Sequence, residues 1–306
     1  MNTYPAKILL FGEYSLMHGS HALAVPFWNF SARWSQSTEK SKSPADLLKY
    51  ASYLEKKQKS FPFSIDFQKF SKDMEAGFYF DSSIPMGYGI GSSGALCAAI
   101  YEKYVVNGIS PNCSDNLLAE LKMHLSLLES YFHGFSSGID PLTSYTKSVI
   151  LVESKDVVKR ISLDDTFDQV TVFLIDSEKR GNTSGNIKIF NDLIKEEYYL
   201  QDLKMNYNPL VNSCISSFLE ENSCDFLLLM NKLSRKQQYI FESMIPSEFI
   251  KYFQMAKKSG LFSLKLCGSG SGGFLLGFTS NFEHVDCLIS NNDAKLIPVH
   301  FGEVLK

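Results

Sequence analysis

Nine of the chain's 19 glycines fall in eighteen positions, four in residues 87–94 and five in residues 268–277. Average usage of about 7% would place one or two there. Glycine takes positive φ and lets a backbone approach a ligand closely, so two loops of unusual backbone are required. The first window, Pro85-Met-Gly-Tyr-Gly-Ile-Gly-Ser-Ser-Gly94, precedes a run that begins with small residues. That run, with its stop at Asn107-Gly108, predicts a helix over 95–106. Free N–H groups at a helix start, together with the helix dipole, bind anions. Ser92 and Ser93 add hydroxyls that can reach a phosphate or Mg²⁺. A tight loop before a packed helix explains one or two glycines, but not four glycines and two serines. The window therefore predicts a phosphate cradle at Gly87, Gly89, Gly91, Ser92, Ser93 and Gly94.

Three known loop types compete for these segments. A Walker A loop ends in Gly-Lys-Ser/Thr, and no such lysine is present. The GxGxxG pattern matches at Gly89, Gly91 and Gly94, and again at Gly268, Gly270 and Gly273. A dinucleotide loop, however, follows directly on a strand and leads to an acid about 20 residues on. Here a Pro-containing loop intervenes, and the position about 20 residues on lies at the start of another helix. Gly134-Phe-Ser136-Ser-Gly138 matches the hydrolase elbow GxSxG. That elbow sits between a strand and a helix, whereas this one ends a helical pattern. A serine hydrolase using Ser136 is the distant alternative.

A length of 306 residues suggests two domains or one large one. The 30 basic and 33 acidic side chains leave a net charge of -3. That balance excludes a general polyanion binder, so no nucleic-acid partner is expected. The 44% apolar and 21% charged content is that of a globular chain with a real core. None of the six cysteines has zinc-ligand spacing, and they read as reduced core thiols of a cytoplasmic protein. The four apolar residues Ile8 to Phe11 are fewer than the roughly 7–15 of a signal-peptide core. No segment approaches the roughly 18 apolar residues of a membrane span.

Lys7 to Phe11 reads as a strand ending at Gly12, and Phe78 to Phe80 as another. The lysine-rich residues 35–60 read as a solvated helix with Leu47, Leu48, Ala51 and Leu54 inward. A helix is predicted from Ser114, as N-cap, to Phe132. Its apolar positions Leu117, Leu118, Leu121, Leu125, Leu128 and Phe132 fall within an arc of about 100°. Glu129 stands about 20° outside that arc, at the rim, where a carboxylate can look into a cleft. Strands are expected over 148–153 and 169–175, and helices through 186–258. A strand, loop and strand follow over 261–266 and 274–278. Without strict βαβ alternation this is an α+β chain, with a boundary near residue 165 separating domains 1–165 and 166–306.

Three motifs in order resemble the GHMP kinases, the small-metabolite kinases named for galactokinase, homoserine kinase, mevalonate kinase and phosphomevalonate kinase. They are Pro5-Ala-Lys-Ile-Leu-Leu-Phe-Gly-Glu13, Pro85-x-x-x-Gly89-Ile-Gly91-Ser-Ser93 and Lys265-Leu-Cys-Gly268-Ser-Gly270-Ser-Gly-Gly273. They span positions 5 to 273. Within the family, His133-Gly-Phe-Ser-Ser-Gly-Ile-Asp140, with Glu129 ahead of it, is most similar to the mevalonate kinases. The stretch 176–184, which includes Thr183, resembles the loop that meets the acceptor. The chain departs from the mevalonate kinases at Tyr14, where they usually have His. Glu13-Tyr14 is closer to the phosphomevalonate kinases. Ile90 and Gly94 stand where Leu and Ala are usual, and Cys267, Ser269 and Ser271 where Thr, Ala and Gly are.

The resemblance implies a two-domain GHMP kinase fold with the active site in the cleft between the domains. It implies ATP and Mg²⁺ as cofactors, and a small acceptor, mevalonate or a related hydroxy acid, phosphorylated on its primary hydroxyl. Phosphomevalonate kinase, or another metabolite kinase of the family, is the alternative. A homodimer is compatible with it. By resemblance, Glu129 and Ser93 hold the metal. Asp140 accepts the proton of the acceptor hydroxyl or holds that hydroxyl in line, with Lys7 beside it. Glu13, Tyr14 and Thr183 hold the acceptor, and Gly268, Ser269 and Gly270 close over it.

Overall fold

The computed structural model describes residues 2–37, 45–163, 169–181, 183–292 and 294–301, with only the backbone of His133 and Thr183. In chain order, strands β1 (Thr3–Phe11) and β2 (Ala22–Gln36) are followed by helix α1 (Ala45–Lys57), β3 (Ser64–Ile65), α2 (Phe67–Glu75) and β4 (Phe78–Ser82). Then come α3 (Ser92–Tyr104), β5 (Val105–Val106), α4 (Leu118–His133), α5 (Ile139–Thr146), β6 (Val149–Val152) and β7 (Val158–Ile161). The remainder is β8 (Thr171–Asp176), α6 (Thr183–Leu193), α7 (Glu197–Asp202), α8 (Asn208–Leu219), α9 (Ser223–Ile240), α10 (Ser247–Ser259), β9 (Phe262–Leu266), β10 (Phe274–Thr279), α11 (Phe282–Ser290) and β11 (Leu296–Pro298). This is the expected mixed α+β pattern.

Two antiparallel sheets carry the fold. The first runs β1-β2-β6-β7, with β4 added to the far half of β2. The second runs β11-β8-β10-β9. The change of sheet falls between residues 161 and 171, and the expected boundary near 165 lies outside the described residues. Helices α3 and α5 lie together against β1 and β2. The α3 helix is buried over most of its circumference, from Gly94 through Tyr101 apart from Leu96. Its glycine, alanines and cysteine make that close approach to sheet and neighbouring helix possible. Phe11, at the end of β1, stacks on Phe278 of β10 with ring centroids 5.9 Å apart, and edges onto Phe218 and Phe226. The first strand thus ends in apolar packing against the second half of the chain. No described helix is long and apolar enough to cross a membrane.

The structure corrects several sequence expectations. The helix expected over 95–106 begins at Ser92, because Gly91 takes a left-handed conformation and winds both serines into the first turn. It ends at Tyr104, because the β-branched pair Val105-Val106 pairs as a strand with Ser64-Ile65. Ser114 makes no side-chain cap, and a short 3₁₀ turn leads into α4. The long strand β2 and the short strand β7 are additions. In α1 the polar face is exposed as expected, but Leu48 shares that exposure.

Candidate active site

Strand β1 is the edge of its sheet, and its open side faces the first glycine loop. The Lys7 N–H donates to the Ile90 carbonyl at 3.0 Å, which holds the loop against the strand. The Lys7 side chain runs under the loop. Gly91 sits at φ 79°, and a Cβ there would stand 2.8 Å from Lys7 Cγ. The Lys7 ammonium lies 3.0 Å from Asp140 Oδ1 and donates to the Gly89 carbonyl at 3.3 Å. Asp140 is the second residue of α5, whose start abuts that of α3. A Cβ on Gly94 would come within 2.9 Å of the Asp140 carbonyl carbon. Burial pushes the Lys7 ammonium down, but the Asp140 carboxylate together with Cys267 and Glu129 outweighs it, and the ammonium lies above the ordinary lysine range.

Glu129 projects from α4 toward the same place. It is 3% exposed rather than at a rim, because α3 and the 134–138 loop close over it. Ser93 donates to Glu129 Oε1 at 2.9 Å, and Ser136 to Oε2 at 2.5 Å. Burial and the nearby Asp140 carboxylate push the Glu129 carboxyl up to about 7, against the pull of the two serines and Lys7. Ser136 lies between two helices, not between a strand and a helix, so the hydrolase elbow has neither its fold context nor a free hydroxyl.

The second glycine loop stands opposite the first. A Cβ on Gly89 would lie 2.6 Å from the Cys267 carbonyl, and one on Gly268 would lie 2.6 Å from the Gly89 carbonyl. The Gly181 N–H donates to the Gly87 carbonyl at 2.8 Å, which brings the 176–181 segment to the same place. These pieces enclose a cleft of about 700 Å³. Its wall includes Lys7, Gly87, Gly89, Gly91, Ser92, Ser93, Asp140, Gly268 and Ser269, together with Pro85, Met86, Leu96 and Phe132. Gly94, Glu129 and Gly270 lie behind that wall.

Glu13 and Tyr14 do not form the cleft wall. Glu13 is buried and paired with the Lys265 ammonium of β9. Tyr14 sits at φ 59°, packs on Phe190 and Phe241, and donates to the Ser269 carbonyl at 2.7 Å. Asn186 of α6 donates to the same carbonyl at 2.8 Å. Tyr14 and Asn186 thus secure the second glycine loop, and Glu13 secures β9 through Lys265. The Thr183 side chain lies outside what the structure describes. Arg180 does line the cleft. It sits within the expected acceptor loop, but its residue type alone carried no signal.

The first N–H groups of a helix have no partner within it. At the start of α3 these belong to Ser92, Ser93 and Gly94, beside Lys7, which fits a polyphosphate. A buried carboxylate with a second carboxylate nearby fits a divalent cation. Among the described residues no cluster of three or more His, Cys, Asp or Glu could hold an ion alone. The donor set, one carboxylate and one hydroxyl, suits Mg²⁺ that arrives with phosphates and water.

Residues 47–147 match the family model for the GHMP kinases N terminal domain. A comparison of the sequence with curated proteins found no match. Among solved structures, the chain is similar to the mevalonate kinase of Methanococcus jannaschii. The TM-score is 0.67 at 17% identity, covering 99% of this chain and 98% of the other. It is also similar to Lactococcus lactis galactokinase complexed with galactose (TM-score 0.65, 13% identity, 98% and 92% covered). A third match is Streptococcus pneumoniae phosphomevalonate kinase (TM-score 0.64, 14% identity, 97% of each chain). At these identities the likeness is one of fold. Residues 47–147 thus match the family's N-terminal domain, and the fold along nearly the whole chain is the one shared by these mevalonate kinase, galactokinase and phosphomevalonate kinase structures.

Proposed function

We propose that this chain is a Mg²⁺-dependent kinase that transfers the γ-phosphate of ATP to the primary hydroxyl of mevalonate or a closely related hydroxy acid. The observation that carries the reading is the Lys7–Asp140 pair. It lies 3.0 Å apart under a glycine-rich helix start, with Asp140 open to the cleft. Phosphoryl transfer asks a protein mainly for positioning and charge stabilisation. The start of α3 binds the phosphates, and Lys7 holds the Asp140 carboxyl in place. Asp140 takes the proton of the acceptor hydroxyl or fixes that hydroxyl in line. Glu129 and Ser93 hold Mg²⁺, which when bound offsets charge on the phosphates.

The acceptor's charge follows from the cations on the wall. Among the described residues only Lys7 and Arg180 line the cleft as cations, and Lys7 is spent on Asp140. Arg180 supplies one guanidinium, which suits one carboxylate. A neutral sugar leaves that cation unused, and a phosphorylated acid brings a second anion with no further lysine or arginine to meet it. Tyr14, the residue closest to phosphomevalonate kinases, spends its hydroxyl on Ser269, so it gives that acceptor no direct support. ADP release measured with mevalonate, phosphomevalonate, galactose and homoserine tests the reading. Fastest turnover with mevalonate is expected. ADP release with none of the four overturns the kinase, and preference for phosphomevalonate or galactose overturns the acceptor.

A further inference from the structure

The kinase reading leaves Ser136 without a task, although its hydroxyl has the most constrained surroundings in the site. Ser136 Oγ lies 2.5 Å from Glu129 Oε2 and 2.9 Å from the Gly138 nitrogen. A backbone N–H can only donate, so the hydroxyl accepts there, and its single proton goes to Glu129. The other carboxylate oxygen takes the Ser93 hydroxyl. Glu129 is thus held on both oxygens, by α3 on one side and by the loop after α4 on the other. Gly138 is the residue at which α5 begins, with φ 76°, and Asp140 is two residues further on. One hydroxyl therefore joins Glu129 to the start of the helix that carries Asp140.

We propose that Ser136 is a positioning residue that fixes the Glu129 carboxylate for Mg²⁺ and ties it to the first turn of α5. The assignment rests on the reading of Glu129 as the metal carboxylate. Each carboxylate oxygen has two acceptor directions, so two serine bonds leave the remaining lone pairs for an ion. Mg²⁺ demands near-ideal octahedral geometry. A carboxylate free to rotate meets that demand in fewer of its orientations than one pinned at both oxygens. Partners of this outer kind cost about 10–100-fold in metal affinity when removed. Ser136 does not touch the ion or the phosphates, so its loss leaves metal-free nucleotide binding intact.

The test is calorimetric titration of the full chain with a non-hydrolysable ATP analogue, in Mg²⁺ and in EDTA. Wild type is expected to bind more tightly with Mg²⁺. In Ser136→Ala the tightening due to Mg²⁺ falls by about tenfold or more, and affinity in EDTA is unchanged. Ser136→Thr, which keeps the hydroxyl, restores it. In turnover the Mg²⁺ concentration for half-maximal rate rises more than the rate at saturating Mg²⁺ falls. Melting curves establish that the variants are folded. Ser136→Cys, a weaker donor, carries the same comparison if Ser136→Ala does not fold. Wild-type Mg²⁺ dependence in Ser136→Ala overturns the assignment, as does equal weakening in Mg²⁺ and EDTA. A wild-type protein that turns over but gains no affinity from Mg²⁺ overturns the metal role of Glu129, and this assignment with it. Absence of turnover and of nucleotide binding in wild type is instead the failure of the kinase reading.

Discussion

Lys7 and Lys265 are both buried and paired with carboxylates, and the pairs differ in what the carboxylate can reach. Lys265 and Glu13 are 1% and 2% exposed. Lys7 is 2% exposed, but its partner Asp140 is 27% exposed. The first pair has surrendered hydration on both sides and ties the end of β1 to β9. Such a pair stabilises little over an apolar pair of the same volume, yet breaking it leaves a buried charge alone. The second pair has an open side, so its carboxylate can meet a substrate while the lysine holds it. The same two groups make a structural tie in one place and, under the proposed function, a reactive centre in the other, and solvent access separates them.

The largest test of that contrast is Asp140→Asn. The amide keeps the shape and loses the charge that accepts a proton. Turnover is expected to fall by about 10²–10⁴-fold, with ATP-analogue binding retained in calorimetry. Near-normal turnover makes Asp140 a second structural tie and erases the distinction. Next is Lys265→Met, which leaves Glu13 buried and unpaired. Urea unfolding is expected to show a loss of about 3–5 kcal/mol, most of it recovered in the double variant Glu13→Leu/Lys265→Met. A stable single variant means that the pair is not the tie described here.

Much of the candidate site was legible in the sequence, because its parts are local or carried by motifs. The glycines and serines of 87–94 and the helix after them sit within one stretch of chain. Lys7, Glu129 and Asp140 came with their motifs and are brought together. Tyr14 was not legible, since its partner Ser269 is 255 residues away and nothing in either segment marks the contact. The burial of Glu129 escaped for a related reason. A helical wheel locates the stripe facing one neighbour, whereas α4 meets a second neighbour in α5 and the loop before it. Strand β2 hid because it changes partners along its length and carries Pro26 and polar residues. Strands β1, β4, β6, β8, β9 and β10, helices α1, α3 and α4 and the helical region 186–258 were readable from apolar runs and periodicity, whereas β11 and the short helices α2, α5 and α11 were not.

Arg180 sharpens the comparison from the side of the acceptor, because it is the cleft cation that neither pair consumes. Arg180→Gln removes a charged hydrogen-bond donor worth about 1.5–3 kcal/mol. The acceptor KM is expected to rise about tenfold or more, with the KM for ATP within about twofold. An equal change in both constants places Arg180 on the phosphates instead and removes the argument for an anionic acceptor.

Glu129 is the third carboxylate of the region, buried like Glu13 but without a lysine of its own. Burial and the neighbouring Asp140 carboxylate push its carboxyl up to about 7, and the two hydroxyls that hold it offset only part of that. The sign of the consequence follows directly. A carboxyl raised in the folded state contributes stability that is full below its unfolded pKa and is lost as pH rises from about 4.5 through about 7. The unliganded protein is therefore expected to melt lower at pH 8 than at pH 6 by this group's share. Mg²⁺ reverses the preference, because it binds the ionised form and must displace the proton. Between pH 6 and pH 8 the ionised fraction of a group with a pKa near 7 rises about tenfold. The Mg²⁺-dependent part of nucleotide affinity is expected to rise by about the same factor. Calorimetry at the two values, in Mg²⁺ and in EDTA, separates this change from titration of the nucleotide. A Mg²⁺ increment independent of pH means that Glu129 is already ionised at pH 6, its two serine hydroxyls having outweighed burial.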